Sequence, residues 1–224
     1  MDWSALILSL RLAACTTAVL LVLGLPLAWW LARTTWRGRF LVEAAVALPM
    51  VLPPTVLGFY LLMTLGPHSP AGRLLESVFG TQLPFTFTGL WVASVLYSLP
   101  FAVQPFTAGF ALVDRRLLEA SACLGAGRWE TWRRVALPLA WPGVLAGLVL
   151  SFAHTLGEFG VVLMIGGNLP GATRTLSIAL YDDVQALDYA TASRTALVLL
   201  VFSFVVLAVT YALQRRFLQP WPSR

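Results

Sequence analysis

The sequence predicts an all-α membrane protein of about five transmembrane helices, and three observations predict it. Hydrophobic residues make up 58% of the chain and charged residues only 11%, with a mean hydropathy of +0.80. A soluble domain carries about twice that charge, and a soluble fold of this composition would leave much of its apolar surface in water. Five apolar stretches are long enough to cross the hydrocarbon core, which takes about twenty residues as a helix. The charges, finally, cluster in the short segments between those stretches.

In order, the first stretch runs from about Ala5 to Leu31, with Arg11 near its start. The second covers about Leu41 to Leu65 and contains Pro49, Pro53 and Pro54. The third covers about Phe85 to Val113 and is interrupted by Pro100 and Pro105. The fourth runs from about Leu139 to Ile165, with His154 and Glu158 inside. The fifth covers about Thr195 to Leu213 and has the fewest irregularities. The N-terminus has no basic region and no small-residue cleavage site, so the first stretch is expected to be a mature span and not a signal peptide. No polar stretch is long enough for a soluble domain, so residues 1–224 are expected to form a single membrane domain.

Arginine gives the spans a direction. With the N-terminus outside and the C-terminus in the cytoplasm, eleven arginines fall on the cytoplasmic side, Arg215, Arg216 and Arg224 among them. Four fall outside: Arg11, Arg73, Arg174 and Arg194. The positive-inside rule selects this N-out/C-in arrangement. It also assigns the net charge of +5 to flanks of membrane helices and not to a nucleic-acid partner. Arg11 is expected to snorkel to the outer interface, and Trp29, Trp30 and Trp36 to form a belt at the cytoplasmic one.

All fifteen basic residues are arginine, and a phosphate-binding P-loop needs a lysine. Any energy from ATP must therefore come from a partner. Cys15 and Cys123 have neither metal nor redox spacing. His154 has no second ligand to complete a metal site. No catalytic constellation of nucleophile, base and acid appears.

The segment from Asp114 to Pro138 is more than a connector. Leu118, Ala122, Trp129 and Trp132 fall along one helical stripe, broken at Gly125-Ala126-Gly127. Two short amphipathic helices joined at the glycines fit this pattern. Two tryptophans and five arginines on such a knob make it either a membrane-surface helix or a docking element. Within it, Glu119-Ala120-Ser121, three residues, Gly125, nine residues, Val135, one residue and Leu137-Pro138 resemble the EAA signature of binding-protein-dependent ABC importer permeases. Ser121 and Val135 replace the usual Ala and Ile. The resemblance implies a type I ABC importer permease fold, with this loop seated in a cleft of a cytoplasmic ATPase. Gly125 would allow the sharp turn, Glu119 would offer a carboxylate to the partner, and Pro138 would stop the second helix and begin the next span.

Three more segments resemble the molybdate and sulfate branch of these permeases: Leu48 to Gly58 (LPMVLPPTVLG), His154 to Gly160 (HTLGEFG) and Asn168 to Thr175 (NLPGATRT). The resemblance implies a homodimer carrying two ATP-binding subunits, which hold the ATP and Mg, and an external oxyanion-binding protein. It implies no cofactor bound by this chain. The expected cargo is molybdate, with tungstate or sulfate as alternatives. A secondary transporter or channel is the alternative from another class, with Glu158 and His154 as its ion-coupling candidates.

A dianion entering hydrocarbon uncompensated is extremely costly, and a deep trap would hold it. Broken helices supply dipoles without a trap. Pro53, Pro54 and Thr55 in the second span, and Gly157 and Gly160 in the fourth, are the candidate path or gate residues. Glu158 belongs to the same group. An intramembrane carboxylate faces the bundle interior or a cavity, but one open to the path would repel the anion. Glu158 is therefore expected to brace the gate by hydrogen bonding, by pairing with a base or in a protonated state. Arg174 and Asn168 either help receive the substrate or form a loop salt bridge.

Overall fold

The computed structural model describes residues 2–80 and 82–218, with Phe79 and residues 213–218 given by backbone alone. Arg224 and the side chains of Arg215 and Arg216 lie outside what is described. All regular structure among the described residues is helical.

Helix α1 (Trp3–Arg33) begins at Asp2, whose carboxylate accepts the N–H groups of Ser4 and Ala5 at 3.0 Å. Its 31 residues reach about 46 Å, more than the roughly 30 Å hydrocarbon core, so it extends beyond that core. Buried residues recur every three or four positions from Ala5 through Leu12, Leu20 and Ala28 to Leu31. That is one helical stripe, turned toward α5 (Phe87–Ala111) and α8 (Leu137–Gly157). These three helices form the centre of the molecule around Leu20, Val103, Phe106, Phe110, Ala140 and Val144. The α5 and α8 backbones touch where Gly109 meets Gly143. A Cβ on Gly143 would stand 2.7 Å from both Gly109 Cα and Pro105 O. Small residues permit this approach where lipid offers no hydrophobic drive for association.

The second expected span is not straight. It consists of α2 (Arg39–Val51) and α3 (Pro54–Leu65), which diverge by 110°. The residue before a proline is pushed out of the helical region, and two successive prolines do this twice. Leu52 has ψ 138° and Pro53 has ψ 135°. The third span departs from expectation the other way, because α5 runs unbroken through Pro100 and Pro105. Each proline removes one helical hydrogen bond, a loss that packed membrane helices tolerate, and here α1 and α8 enclose it.

The fourth span also differs. Helix α8 ends at Gly157, Glu158 is extended (φ −64°, ψ 134°), and a separate short helix α9 covers Gly160–Gly166. The last helix, α11 (Tyr189–Leu218), starts six residues earlier than its apolar run, because Asp188 Oδ1 accepts the Thr191 N–H at 3.1 Å. The two segments between spans each hold a helix as well. Ser69 Oγ caps α4 (Pro70–Phe79), and Thr175 Oγ1 caps α10 (Leu176–Gln185). Between α5 and α8 lie α6 (Arg115–Cys123) and α7 (Arg128–Thr131).

Candidate functional site

The two broken spans meet at their breaks. A Cβ on Gly160, the first residue of α9, would stand 2.5 Å from Pro54 Cβ, and one on Gly58 would stand 2.7 Å from Met164 Cβ. Thus α3 lies directly on α9, and the residues expected to line a path come together from two parts of the chain. Pro53, Pro54, Thr55 and Gly157 are exposed, and the space around Gly157 is open. The N-terminus of α3 carries no side-chain cap, since the Pro53 side chain has no oxygen; the Pro53 carbonyl accepts the Val56 and Leu57 N–H groups, and the Thr55 N–H precedes them.

Glu158 caps the other break. Its Oε1 accepts the Val161 N–H at 2.7 Å, and Oε2 lies 4.0 Å from His154 Nε2. Its backbone carbonyl accepts the Ser177 hydroxyl from α10. The side chain is buried, and hydrogen bonding, one of the roles expected of it, is present in the contact to Val161. His154 is held from the far side: its Nδ1 shares a hydrogen bond with Ser98 Oγ at 3.0 Å, and Phe101 stacks on its ring at 3.9 Å. Ser98 also bonds Thr155 Oγ1 at 2.8 Å. One polar chain therefore links α5, α8 and α9 beside the break. Ser98 and Thr155 were not singled out from the sequence. The available signal was a hydroxyl residue one residue away from or facing an intramembrane histidine, and only the α5–α8 pairing reveals the facing one.

Beyond α9, Asn168 bridges Arg174 Nε (2.7 Å) and Asp182 Oδ2 (2.7 Å), and Arg174 Nη2 reaches the same carboxylate at 3.5 Å. Of the two expectations for this loop, the salt bridge is formed. The loop is tied to α1 as well, through the Leu176 N–H donated to Ser9 Oγ at 2.8 Å. Arg11 is exposed, with its guanidinium 4.5 Å above the Phe87 ring.

The other end of the bundle carries α6 and α7. Asp114 caps α6, and Gly125 turns the chain at φ +85°, a region L residues rarely enter. The Ser121 and Thr131 hydroxyls then close the two helices at 3.0 Å. Glu119, Ala120 and Leu124 are exposed, and Leu124 is 89% so. Leu118, Trp132 and Leu137 pack on the central core and anchor the segment. Arg33 fastens it further, donating from Nη2 to the carbonyls of Phe110 (3.0 Å) and Val113 (2.7 Å) at the end of α5. Pro138 begins α8 but does not stop the preceding helix. Residues Trp132–Ala136 form a wide π turn, in which the Leu137 N–H reaches Trp132 O, and the helix continues from Arg128 to Gly157. Widening one turn absorbs the donor that proline lacks.

Apposed broken spans at one end and an exposed, anchored helical hairpin at the other define a membrane permease driven by a separate partner. A family model described as "binding-protein-dependent transport system inner membrane component" matches residues 24–219. The chain belongs to that family. It is 53% identical over 214 residues to a molybdenum transport system permease protein of Azotobacter vinelandii, covering 96% of this chain and 95% of the relative. The corresponding protein of Escherichia coli K12 is 38% identical, covering 82% of this chain and 80% of its own. A probable sulfate transport system permease protein of Chlorella vulgaris is 35% identical, covering 94% and 79%. Two solved structures share the fold. A bacterial alginate ABC transporter has a TM-score of 0.75 at 19% identity, covering 96% of this chain and 79% of its own. A methionine ABC transporter in inward-facing form has 0.68 at 16%, covering 95% and 94%. The chain is therefore the inner-membrane component of an ABC importer, working with ATP-binding subunits and a substrate-binding protein. ATP hydrolysis belongs to the separate subunits.

Proposed function

We propose that this chain carries molybdate across the inner membrane as one half of a homodimeric pore, with its N-terminus outside and its C-terminus in the cytoplasm. The observation that carries the substrate is the 53% identity to a molybdenum permease over nearly the full length of both chains, against 35% to a probable sulfate permease. Tungstate has the same charge and shape and passes by the same path, selection lying in the binding protein.

The loaded binding protein docks on the outer face. The dianion then passes the apposed breaks, where Pro53, Pro54, Thr55, Gly157 and Gly160 line or gate the path. The uncapped N-terminus of α3 offers it backbone dipoles. Glu158 spends its Oε1 on the α9 backbone, so its carboxylate braces the gate. Residues 114–138 form the coupling loop of a single membrane domain. Its Glu119, Ala120, Gly125, Val135, Leu137 and Pro138 shape the contact through which an ATPase holding ATP and Mg drives the gate. This chain holds no cofactor.

The test is ATP hydrolysis by the reconstituted complex of permease, ATPase and binding protein. Binding protein loaded with molybdate is expected to stimulate turnover several-fold and sulfate-loaded protein not at all. Equal stimulation by sulfate overturns the assignment.

A further inference from the structure

The tryptophans of the coupling loop have no part in that mechanism. Trp129 and Trp132 stack with ring centroids 4.8 Å apart and 16° between their planes. Trp132 is anchored on the core, whereas Trp129 is 68% exposed. With Arg128 they form one wall of a groove of about 500 Å³, and Leu21, Leu25 and Trp29 of α1 form the other. The groove runs along α1 for about 12 Å from Leu21 to Trp29, most of the depth of one leaflet's hydrocarbon, itself about 15 Å. Val22 and Leu23 beside it are 68% and 61% exposed, so this side of α1 presents apolar surface outward.

Arg128 is the charged residue in the lining. Arg134, on the same helical run, pairs with Glu130 at 2.9 Å, whereas Arg128 has no acidic partner among the described residues. An apolar groove ending in two stacked tryptophans and a free guanidinium matches one ligand chemistry: a hydrocarbon chain joined to an anion. Stacked tryptophans are at home where hydrocarbon gives way to headgroups, and guanidinium binds phosphate through a planar fork.

The geometry points to a bound anionic phospholipid in this groove, one acyl chain along Leu21, Leu25 and Trp29 and its phosphate on Arg128. The coupling segment then has two faces. Glu119, Ala120 and Leu124 turn to the ATPase, and Trp129 and Arg128 hold lipid, which fills the space between that segment and α1. This inference rests on the proposed reading of residues 114–138 as a loop at a membrane face, and not on which face that is.

The experiment places the permease–ATPase complex in nanodiscs of phosphatidylcholine with phosphatidylglycerol in both leaflets, without binding protein, ATP or oxyanion. A wrong substrate or a wrong orientation therefore leaves the readout untouched. Native mass spectrometry counts the phosphatidylglycerol retained. The complex is expected to retain it in preference to phosphatidylcholine. Arg128→Gln is expected to weaken retention about fivefold, the worth of one arginine near an anionic surface, and Leu25→Trp, which fills the groove, to abolish it. Arg133→Gln makes the same charge change on an exposed residue outside the groove and is expected to have no effect. Equal retention of the two lipids overturns the site. So does an Arg133→Gln loss as large as that of Arg128→Gln, which would reduce the effect to nonspecific attraction.

Discussion

Glu158 and Gly125 act through the backbone, and that shapes what their replacement should do. Glu158 supplies an acceptor to the Val161 N–H, a task an amide oxygen also performs. Glu158→Gln is expected to keep the brace, whereas Glu158→Ala leaves a buried N–H unpaired at a cost of about 1 kcal/mol. Thermal unfolding in detergent together with uptake assays should show the alanine variant several-fold impaired and the glutamine variant close to wild type. Equal behaviour of the two would remove the cap from the account. Gly125 has φ +85° and nothing within 4 Å of where a Cβ would sit. Any penalty there is conformational and not steric, of order 1–2 kcal/mol for an L residue. Gly125→Val should weaken co-purification of the ATPase, and Gly125→Asn, which tolerates left-handed backbone, should largely preserve it.

At the scale of elements, the helix contacts rest on missing side chains. Gly160→Ala would drive a methyl to 2.5 Å from Pro54 Cβ and push α3 off α9. Uptake should fall while the ATPase, bound at the opposite end, still co-purifies. Loss of both together would mean that the substitution unfolds the chain. Gly143→Leu should be worse for stability, because backbone on both sides of the α5–α8 crossing has no room to yield. A loss of roughly 1–3 kcal/mol is expected from overpacking, read as a lower unfolding midpoint. Hydropathy located the apolar stretches that hold these helices. It could not distinguish a proline that breaks a span from one that is absorbed. Pro53-Pro54 bends the chain by 110°, whereas Pro100 and Pro105 leave α5 intact. The difference lies in neighbours: α5 is enclosed by α1 and α8, while the α2–α3 corner is exposed. The break at Glu158 has no proline at all, and its cause, a side chain capping the next helix, is a contact that periodicity does not record.

For the whole molecule, orientation is the property most open to a direct measurement. Cys123 is exposed at the end of α6, and Cys15 is half-buried within α1. A membrane-impermeant maleimide should label Cys123 only when added from the cytoplasmic side, and the assembled ATPase should slow the reaction. Labelling from the outside would invert the topology.

By itself the sequence determined the number of apolar stretches, the arginine bias between them and the spacing of the Glu119 to Pro138 loop, because each is a property of consecutive residues. It also marked Pro53, Pro54, Thr55, Gly157, Glu158 and Gly160 as one group. Tertiary structure decided why they are one group. Gly160 meets Pro54 across about a hundred positions of chain, Ser98 reaches His154 from another helix, and Arg33 closes the end of α5. Such contacts depend on which helix faces do not carry bulk, and on which backbone groups find a partner once the bilayer has taken water away. Both are settled only when the helices pack.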